Sequence, residues 1–232
     1  MKIFYLSNNS FPGSIASSLQ TVKMCEAFSC LKHQVTLVCP GASKLKESIF
    51  NYYNVKNRFN IRVLNKYKKF PLGAKYYFFS VSSILSSLKD KPDIFITRNF
   101  FTSFLLVILN KKHILELHHS MEIESRIVQF ITKKTGFLNS KKILKMVAIT
   151  ESIKKYFYIN YNLDKNKILV SPSGSSLKVN FNFNRNKKLK IGYFGSVYKS
   201  RGAETFINLS KIDRDNEYYL FGNLNKYKNL KN

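Results

Sequence analysis

The fold is decided by the stretch Lys190-Ile-Gly-Tyr-Phe-Gly-Ser-Val-Tyr-Lys-Ser-Arg-Gly-Ala-Glu-Thr-Phe-Ile207. Its apolar start predicts a short buried strand over residues 191–194, and Gly195-Ser196 predicts a tight turn. A basic loop over 199–202 then leads into a helix over 203–211. A strand, a glycine turn and a helix N-terminus together form a place where backbone N–H groups and the helix dipole hold a phosphate. With a further strand over 218–221, this stretch predicts the beginning of a second α/β unit.

Strand-like and helix-like segments alternate upstream of this stretch, from the first residue onward. Short apolar runs predict seven strands, over residues 3–6, 35–39, 61–64, 93–97, 113–117, 145–149 and 167–170. Helical spacing of apolar residues predicts helices over residues 16–31, after 73, and over 101–109, 122–133 and 151–158, the last capped by Thr150. This alternation predicts a doubly wound α/β sheet with helices on both faces.

Two of these helices have apolar residues at helical spacing, which predicts the faces that they bury. In the helix over 16–31 the expected core positions are Leu19, Val22, Ala27 and Leu31. In the helix after residue 73 they are Tyr77, Val81, Ile84, Leu85 and Leu88, while four serines (Ser80, Ser83, Ser86 and Ser87) are expected elsewhere on the surface of the helix.

Composition sets limits on the function. Of the 232 residues 44% are hydrophobic, which is enough for a packed core, and the formal net charge is +26. The charge has two explanations: a functional positive face, or coding bias, since lysine outnumbers arginine and accompanies abundant Asn, Ile, Phe and Tyr. The cysteines (Cys25, Cys30 and Cys39) lack metal-ligand spacing and predict reduced thiols of a cytosolic protein. The longest apolar run is far shorter than the ~20 residues of a membrane-spanning helix.

Turn-rich, polar residues separate two parts of the chain. Residues 171–187 contain Ser, Pro, Gly and many Asn, and they predict a linker. The expected organisation is therefore a complete Rossmann-like domain over residues 1–170, the linker over 171–187, and an incomplete second Rossmann-like domain over 188–232.

Several motifs along the chain resemble those of one known family. The motifs are Lys2-Ile-Phe-Tyr-Leu, Leu31-Lys-His-Gln-Val-Thr-Leu-Val, Ile114-Leu-Glu-Leu-His-His, Val147-Ala-Ile-Thr-Glu-Ser-Ile-Lys and Ile168-Leu-Val-Ser-Pro-Ser-Gly. In order and spacing they are similar to the retaining family-4 glycosyltransferases of the GT-B fold, in which two Rossmann-like domains face each other. The resemblance covers the first half to two-thirds of such an enzyme. It implies sugar transfer from a nucleoside-diphosphate-sugar to a glycan or lipid-linked acceptor, with retention, in bacterial surface polysaccharide assembly.

The resemblance also implies roles for particular residues. His118 corresponds to the histidine that contacts the donor sugar near the reaction centre, so we expect it to be the catalytic residue; without the family context, a core histidine with a backbone partner is the alternative. The donor diphosphate is expected at Arg201, with Lys199, Ser196 and Gly195 beside it, although Lys199 is equally compatible with a solvated surface charge. The nucleotide-sugar is a substrate, and neither a cofactor nor a metal ion is implied.

Three further residues are expected on the acceptor side. Gly13 and Ser14 lie in the loop after the first strand, where relatives bring the acceptor or a phosphate close to the backbone. Arg98 follows the fourth strand and is expected at the edge of the cleft. It either meets an acidic acceptor or is solvated or ion-paired.

One family feature is not found in this sequence, and it leaves the function open between two alternatives. Relatives carry a later Glu-x7-Glu segment that holds the donor, and Glu217 is the last acidic residue here. The chain is expected to be a truncated enzyme, inactive alone if the donor site is incomplete, or a non-catalytic acceptor-binding or scaffold remnant that needs a separate donor-domain chain.

The expected location is cytoplasmic, with peripheral contact to the inner face of the plasma membrane as a further expectation. An anionic membrane surface is suggested by Lys66, Lys68, Lys69 and Lys75, which flank Phe70, Tyr76 and Tyr77 near an amphipathic helix. Nucleic acid is not an expected partner, because the basic residues are spread along the chain and no nucleic-acid-binding motif accompanies them.

Overall fold

The computed structural model describes residues 1–41, 46–65, 71–174, 188–195, 197 and 202–222. The chain divides into two compact units, Met1–Gly174 and Ser175–Asn232. Most of the expected linker, residues 175–187, lies outside the described residues. Each unit contains a parallel sheet with helices in the crossovers between its strands.

The first unit is built on a seven-stranded parallel sheet. Its strands are β1 (Lys2–Leu6), β2 (Gln34–Pro40), β3 (Asn60–Leu64), β4 (Ile94–Thr97), β5 (His113–Leu117), β6 (Ile143–Ala148) and β7 (Ile168–Val170). They lie in the order β3-β2-β1-β4-β5-β6-β7, so the direction of winding reverses between β1 and β4. In sheets of this kind ligands bind beyond the carboxyl ends of the strands at that reversal. The predicted doubly wound α/β fold is confirmed.

The helices of the first unit follow the strands. They are α1 (Ala16–Cys30), α2 (Lys46–Tyr52), α3 (Leu72–Leu88), α4 (Phe100–Ile108), α5 (Arg126–Thr135) and α6 (Glu151–Asn160), with short 3-10 helices at Met121–Ile123, Phe137–Asn139 and Lys165–Lys167. Polar side chains begin three of them by accepting a backbone N–H: Asn99 caps α4, Ser125 caps α5, and Thr150 caps α6 as predicted.

Successive residues of a strand point to opposite faces, and β1 shows how this divides the core. Ile3 and Tyr5 join a cluster with Val22 and Cys25 of α1. Phe4 and Leu6 pack on the other side of the sheet with residues of α3 and α4. The sheet is therefore buried between a layer that contains α1 and a layer that contains α3 and α4, which is why its strands are almost continuously apolar.

The buried faces of α1 and α3 differ from the predicted ones. On α1 the buried residues are Ser18, Thr21, Val22 and Cys25, whereas Leu19 and Leu31 are exposed. On α3 three of the serines expected at the surface (Ser80, Ser83 and Ser87) are fully buried, while Val81 and Leu85 are exposed. The hydroxyls of these three serines donate to carbonyls of the same helix, so each hydroxyl stays hydrogen-bonded when it is buried. Small side chains let these helices lie close to their neighbours.

Two further helix predictions are corrected. The helix predicted over residues 122–133 begins at Arg126, because Ser125 accepts the N–H of Val128 and the preceding turn is a separate 3-10 helix. Helix α2 was not predicted. It is seven residues long, too short for its apolar spacing to indicate a helix.

Within the described part of the second unit there are two parallel strands and one helix. Strand β8 (Lys190–Phe194) pairs with β9 (Glu217–Phe221), and α7 (Ala203–Ile212) connects them. Phe206 of α7 packs against rings on one face of this small sheet. On its other face Phe194 and Phe221 stack at 4.6 Å and remain exposed.

Candidate functional site

A pocket of about 250 Å³ opens at the carboxyl ends of β1, β4 and β5, where the strand order reverses. The residues that follow these strands line it, together with side chains of α1, α3 and the turn before α5: Ser7, Asn8, Asn9, Ser17, Tyr76, Arg98, Asn99, His118, His119 and Glu124. The position is the one at which open α/β sheets bind ligands.

His118 is held by a buried carboxylate. Its Nε2 lies 3.0 Å from Oε2 of Glu116, and the same oxygen accepts a hydrogen bond from the Tyr5 hydroxyl at 3.0 Å. The side chains of His118 and Glu116 are only 9% and 7% exposed, and Tyr5 is fully buried. Glu116 and His118 are two residues apart at the end of β5, so they point to the same face of the sheet as Tyr5.

The chemistry of these partners fixes which atoms donate. Burial, and then the charge of Glu116, raise the pKa of Tyr5 well above its usual value, so its hydroxyl stays protonated and donates. A carboxylate offers only acceptors, so Nε2 of His118 also donates to it. In the neutral imidazole the lone pair is then on Nδ1. Among the described residues none bonds to Nδ1, which leaves this atom to accept a hydrogen bond from a ligand in the pocket.

His119 lines the same pocket with a different set of contacts. Its Nδ1 donates to the carbonyl of Ser120 at 3.0 Å, and its Nε2 lies 3.5 Å from Oε1 of Glu124. Burial raises the pKa of Glu124, and the nearby His119 and Tyr76 offset only part of that effect. The two imidazoles thus have different carboxylate partners, Glu116 and Glu124, and both line the pocket.

Arg98 supplies a positive charge at the pocket, and its guanidinium lies 3.5 Å from the carbonyl oxygen of Ser17. The neighbouring Asn99 is almost fully buried. Its side chain caps α4 by accepting the N–H of Thr102 at 2.9 Å and donates to Ser80 of α3. The wall of the pocket is therefore tied to the first turn of α4 and to α3.

Of the sequence-predicted residues on the first unit, the structure brings His118 and Arg98 together in the pocket, and Gly13 and Ser14 do not line it. Gly13 donates its N–H to the Tyr53 hydroxyl and accepts from that hydroxyl, both at 2.7 Å, while Ser14 is exposed. Gly13 is thus held by Tyr53, the residue that follows α2, and does not open onto the pocket.

The donor-side residues belong to the second unit. Gly195 is exposed just after β8, and its N–H donates to the carbonyl of Phe221. Gly202 begins α7 with a left-handed φ of 79°, a conformation that favours glycine. Ser196, Lys199 and Arg201 lie outside the described residues.

Sequence reasoning missed several residues of the pocket. Glu116 carried a usable signal, because an acid two positions before a strand-end histidine shares its face. Tyr76, Asn99 and Glu124 carried none, since only the packing of α3, α4 and the turn before α5 brings them to the pocket.

A larger depression of about 1000 Å³ lies elsewhere, by the N-terminal ends of β1, β2 and β3. One of its cations, Arg62, is paired with Asp90 at 2.8 Å and lies over the Phe4 ring at 5.4 Å. We regard the smaller pocket as the candidate site, because it is at the carboxyl ends of the strands and because it brings two imidazoles, Arg98 and Glu124 together.

Among the described residues no group of three or more His, Cys, Asp or Glu side chains is arranged to hold a metal ion. No helix within the same residues has both the length and the apolar character needed to cross a membrane.

Solved structures share this fold over nearly the whole chain. A glycosyltransferase from Rickettsia africae is 17% identical, with a TM-score of 0.64, and the match covers 99% of this chain and 62% of that one. Anabaena HepE, solved with UDP and glucose, is 14% identical, with a TM-score of 0.63 and coverage of 100% and 64%. A UDP-GlcNAc 2-epimerase from Neisseria meningitidis, bound to UDP-GlcNAc, is 14% identical, with a TM-score of 0.56 and coverage of 100% and 69%.

The chain thus has the Rossmann-like α/β fold of the GT-B glycosyltransferases, and it spans less than two thirds of the length of the first two structures. At these identities the likeness shows the fold alone, and the fold is shared by transferases and an epimerase. No protein-family model and no curated protein matches the sequence.

Proposed function

We propose that the protein takes part in sugar transfer from a nucleoside-diphosphate-sugar to a glycan or lipid-linked acceptor. The observation that carries the proposal is His118, held on the buried Glu116 with Nδ1 left for a ligand, in a pocket at the point where the strand order reverses. Family 4, retention at the anomeric carbon, and a cytoplasmic role in surface polysaccharide assembly follow from the sequence motifs and are part of the proposal.

Each side of the proposed reaction has its own residues. His118 accepts a hydroxyl of the donor sugar at Nδ1, while Glu116 and Tyr5 position its ring. Arg98 offers its charge to an acidic group of the acceptor, and Gly13 and Ser14 shape the loop on that side. Such fixed donors and acceptors stabilise a transition state because they need not reorient during the reaction.

The donor diphosphate is proposed to bind at the second unit. Gly195 ends β8 and Gly202 begins α7, and Ser196, Lys199 and Arg201 lie between them in the sequence. A helix N-terminus and a forked guanidinium both favour phosphate oxygens, so they offset the charge of the leaving nucleoside diphosphate. In this scheme neither a metal ion nor a cofactor takes part.

The proposal is tested by following a panel of nucleotide-sugars with and without glycan acceptors and by identifying the products, which separates transfer from epimerisation. We expect His118→Ala to lower turnover about 100-fold. We expect Arg201→Ala to weaken donor binding about 10- to 100-fold, the value of a charge-assisted hydrogen bond. His33→Ala, at the other depression, is the matched control. Unchanged turnover in His118→Ala refutes its role, and unchanged binding in Arg201→Ala refutes the diphosphate site.

A second candidate starts from the same pocket, in which His118 and Arg98 can hold an acceptor without catalysing its reaction. In it, the protein is a non-catalytic acceptor-binding or scaffold partner of a separate chain that supplies the donor domain. The two candidates differ in solution. An acceptor that binds saturably without turnover, and turnover that appears only when a second chain is added, support the partner function.

A further inference from the structure

A row of exposed apolar side chains runs along α5 and the 3-10 helix before it. Ile123, Ile127 and Phe130 are 71%, 57% and 67% exposed. Ile127 and Phe130, three residues apart, lie on one side of α5, while Val128 and Thr132 on the opposite side are buried. Ile123 is exposed in the 3-10 helix just before α5. Single exposed apolar residues are common on protein surfaces, but three large ones within eight residues, two of them on one face of α5, call for a partner.

Cations flank this row. Arg126, Lys133 and Lys134 are exposed on α5, which contains no acidic residue. The nearest acids are engaged: Glu122 accepts the Tyr156 hydroxyl at 2.6 Å, and Glu124 is half-buried beside His119. An apolar stripe bordered by arginine and lysine is the pattern of helices that lie in a membrane interface.

We propose that this face, made of Ile123, Ile127 and Phe130 with Arg126, Lys133 and Lys134 around them, docks on an anionic lipid surface. Three side chains are too few for a stable protein interface, which buries about 800 Å² on each partner. A second copy of the chain is disfavoured, because each copy carries a net charge of +26. A lipid surface accepts a few inserted side chains and adds attraction for each nearby cation.

The face lies next to the candidate site. Glu124, which lines the pocket, directly follows Ile123, and Ser125 at the start of α5 bonds to the hydroxyl of Tyr77 at 2.8 Å. A membrane at this face therefore brings lipid headgroups to the edge of the pocket. Only the identity of that lipid as an acceptor rests on the proposed function; the docking itself does not.

The earlier expectation placed membrane contact at the start of α3. There Tyr76 and Tyr77 are partly buried, and their hydroxyls bond to Glu124 and Ser125. Lys66, Lys68, Lys69 and Phe70 lie outside the described residues. Among the described residues, the face on α5 has exposed apolar side chains beside exposed cations, whereas the aromatic side chains at the start of α3 are partly buried.

Vesicle flotation with the full chain tests the proposal. Wild type is expected to float with vesicles of phosphatidylcholine and phosphatidylglycerol and to stay behind with phosphatidylcholine alone. Both Ile127→Glu/Phe130→Glu and Lys133→Glu/Lys134→Glu are expected to lower the bound fraction about tenfold or more. The matched control is Leu31→Glu, which is 67% exposed at the end of α1 in the other layer, and it is expected to float like wild type.

The proposal is overturned if wild type floats equally well with and without anionic lipid, or if the α5 variants float like wild type. It is also overturned if Leu31→Glu lowers the bound fraction as much as the α5 variants do. Sedimentation that shows a dimer broken by the α5 variants indicates a second copy as the occupant instead. Transfer to a water-soluble acceptor, measured in the same variants, separates the two proposals. If the α5 variants float like wild type while transfer is intact, only the membrane face is contradicted. If wild type floats and the α5 variants do not, but no protein transfers sugar, only the proposed function is contradicted.

Discussion

His113 provides a prediction whose magnitude follows from the structure. It begins β5, at the opposite end from His118, and it is fully buried. Its Nδ1 donates to the carbonyl of Lys111 at 3.0 Å, and its Nε2 accepts from the Ser103 hydroxyl at 2.7 Å. Burial lowers the pKa of His113 to about 4, from an ordinary value of 6.5. This histidine is therefore neutral in the folded protein.

Because His113 binds a proton more weakly in the folded than in the unfolded chain, the free energy of unfolding depends on pH. Below pH 6.5 the unfolded chain takes up a proton at His113 that the folded chain does not bind, so stability falls as the pH falls towards 4. The slope approaches about 1.4 kcal/mol per pH unit, and between pH 7 and pH 5 the loss from this one group is about 2 kcal/mol.

The assay is urea unfolding at pH 7 and pH 5, for wild type and His113→Gln. Circular dichroism is the probe, because the chain contains no tryptophan. Glutamine can keep both hydrogen bonds but does not titrate, so the loss between the two pH values should be about 2 kcal/mol smaller in the variant. Taking the difference between pH values cancels any constant cost of the substitution. An equal loss in the two proteins refutes the assignment of His113 as a buried neutral histidine.

Substitutions at three further positions test a buried hydrogen bond, a helix cap and a left-handed glycine. Tyr5→Phe removes one of the hydrogen bonds to the buried Glu116, and we expect its urea midpoint to report a loss of about 2 kcal/mol; an unchanged midpoint contradicts the bond. Asn99→Ala removes the cap of α4 and should cost about 1 kcal/mol in the same assay, whereas Asn99→Ser should recover most of it. Gly202→Ala forces a left-handed φ of 79° on a side chain that has room around it. We expect about 1 kcal/mol of local destabilisation, seen as faster hydrogen exchange in α7, and unaltered exchange argues against that backbone conformation.

The strands and their order in the chain could be predicted because buried parallel strands are continuously apolar. The run from Val35 to Cys39 is an example, and all of its residues are buried. The buried faces of α1 and α3 could not be predicted in the same way. Apolar spacing assumes that large side chains point inwards, whereas α3 turns Ser80 and Ser83 inwards and leaves Leu85 58% exposed.

The site was predictable only in part, for a related reason. A histidine at the end of a strand is visible in the sequence, and His118 does line the pocket. Glu116, which bonds to His118, also accepts a hydrogen bond from Tyr5, which is 111 positions away in the sequence. A local sequence pattern cannot predict a contact between residues so far apart. Glu124 and Tyr76 meet only because α3 and the turn before α5 converge there.

The buried serines of α3 affect the shape of the pocket although they do not line it. Ser80 bonds to Asn99 and to Thr102 of α4, so the spacing between these helices is set by a hydroxyl and not by a bulky group. Tyr76, one turn earlier on the same helix, forms part of the pocket wall. A larger side chain at position 83, where Ser83 is fully buried, would displace α3 and with it Tyr76, without changing any residue that lines the pocket. The shape of the pocket can therefore change through substitutions in the scaffold, and efforts to re-engineer it should include positions on α3 and α4 as well as the residues that line it.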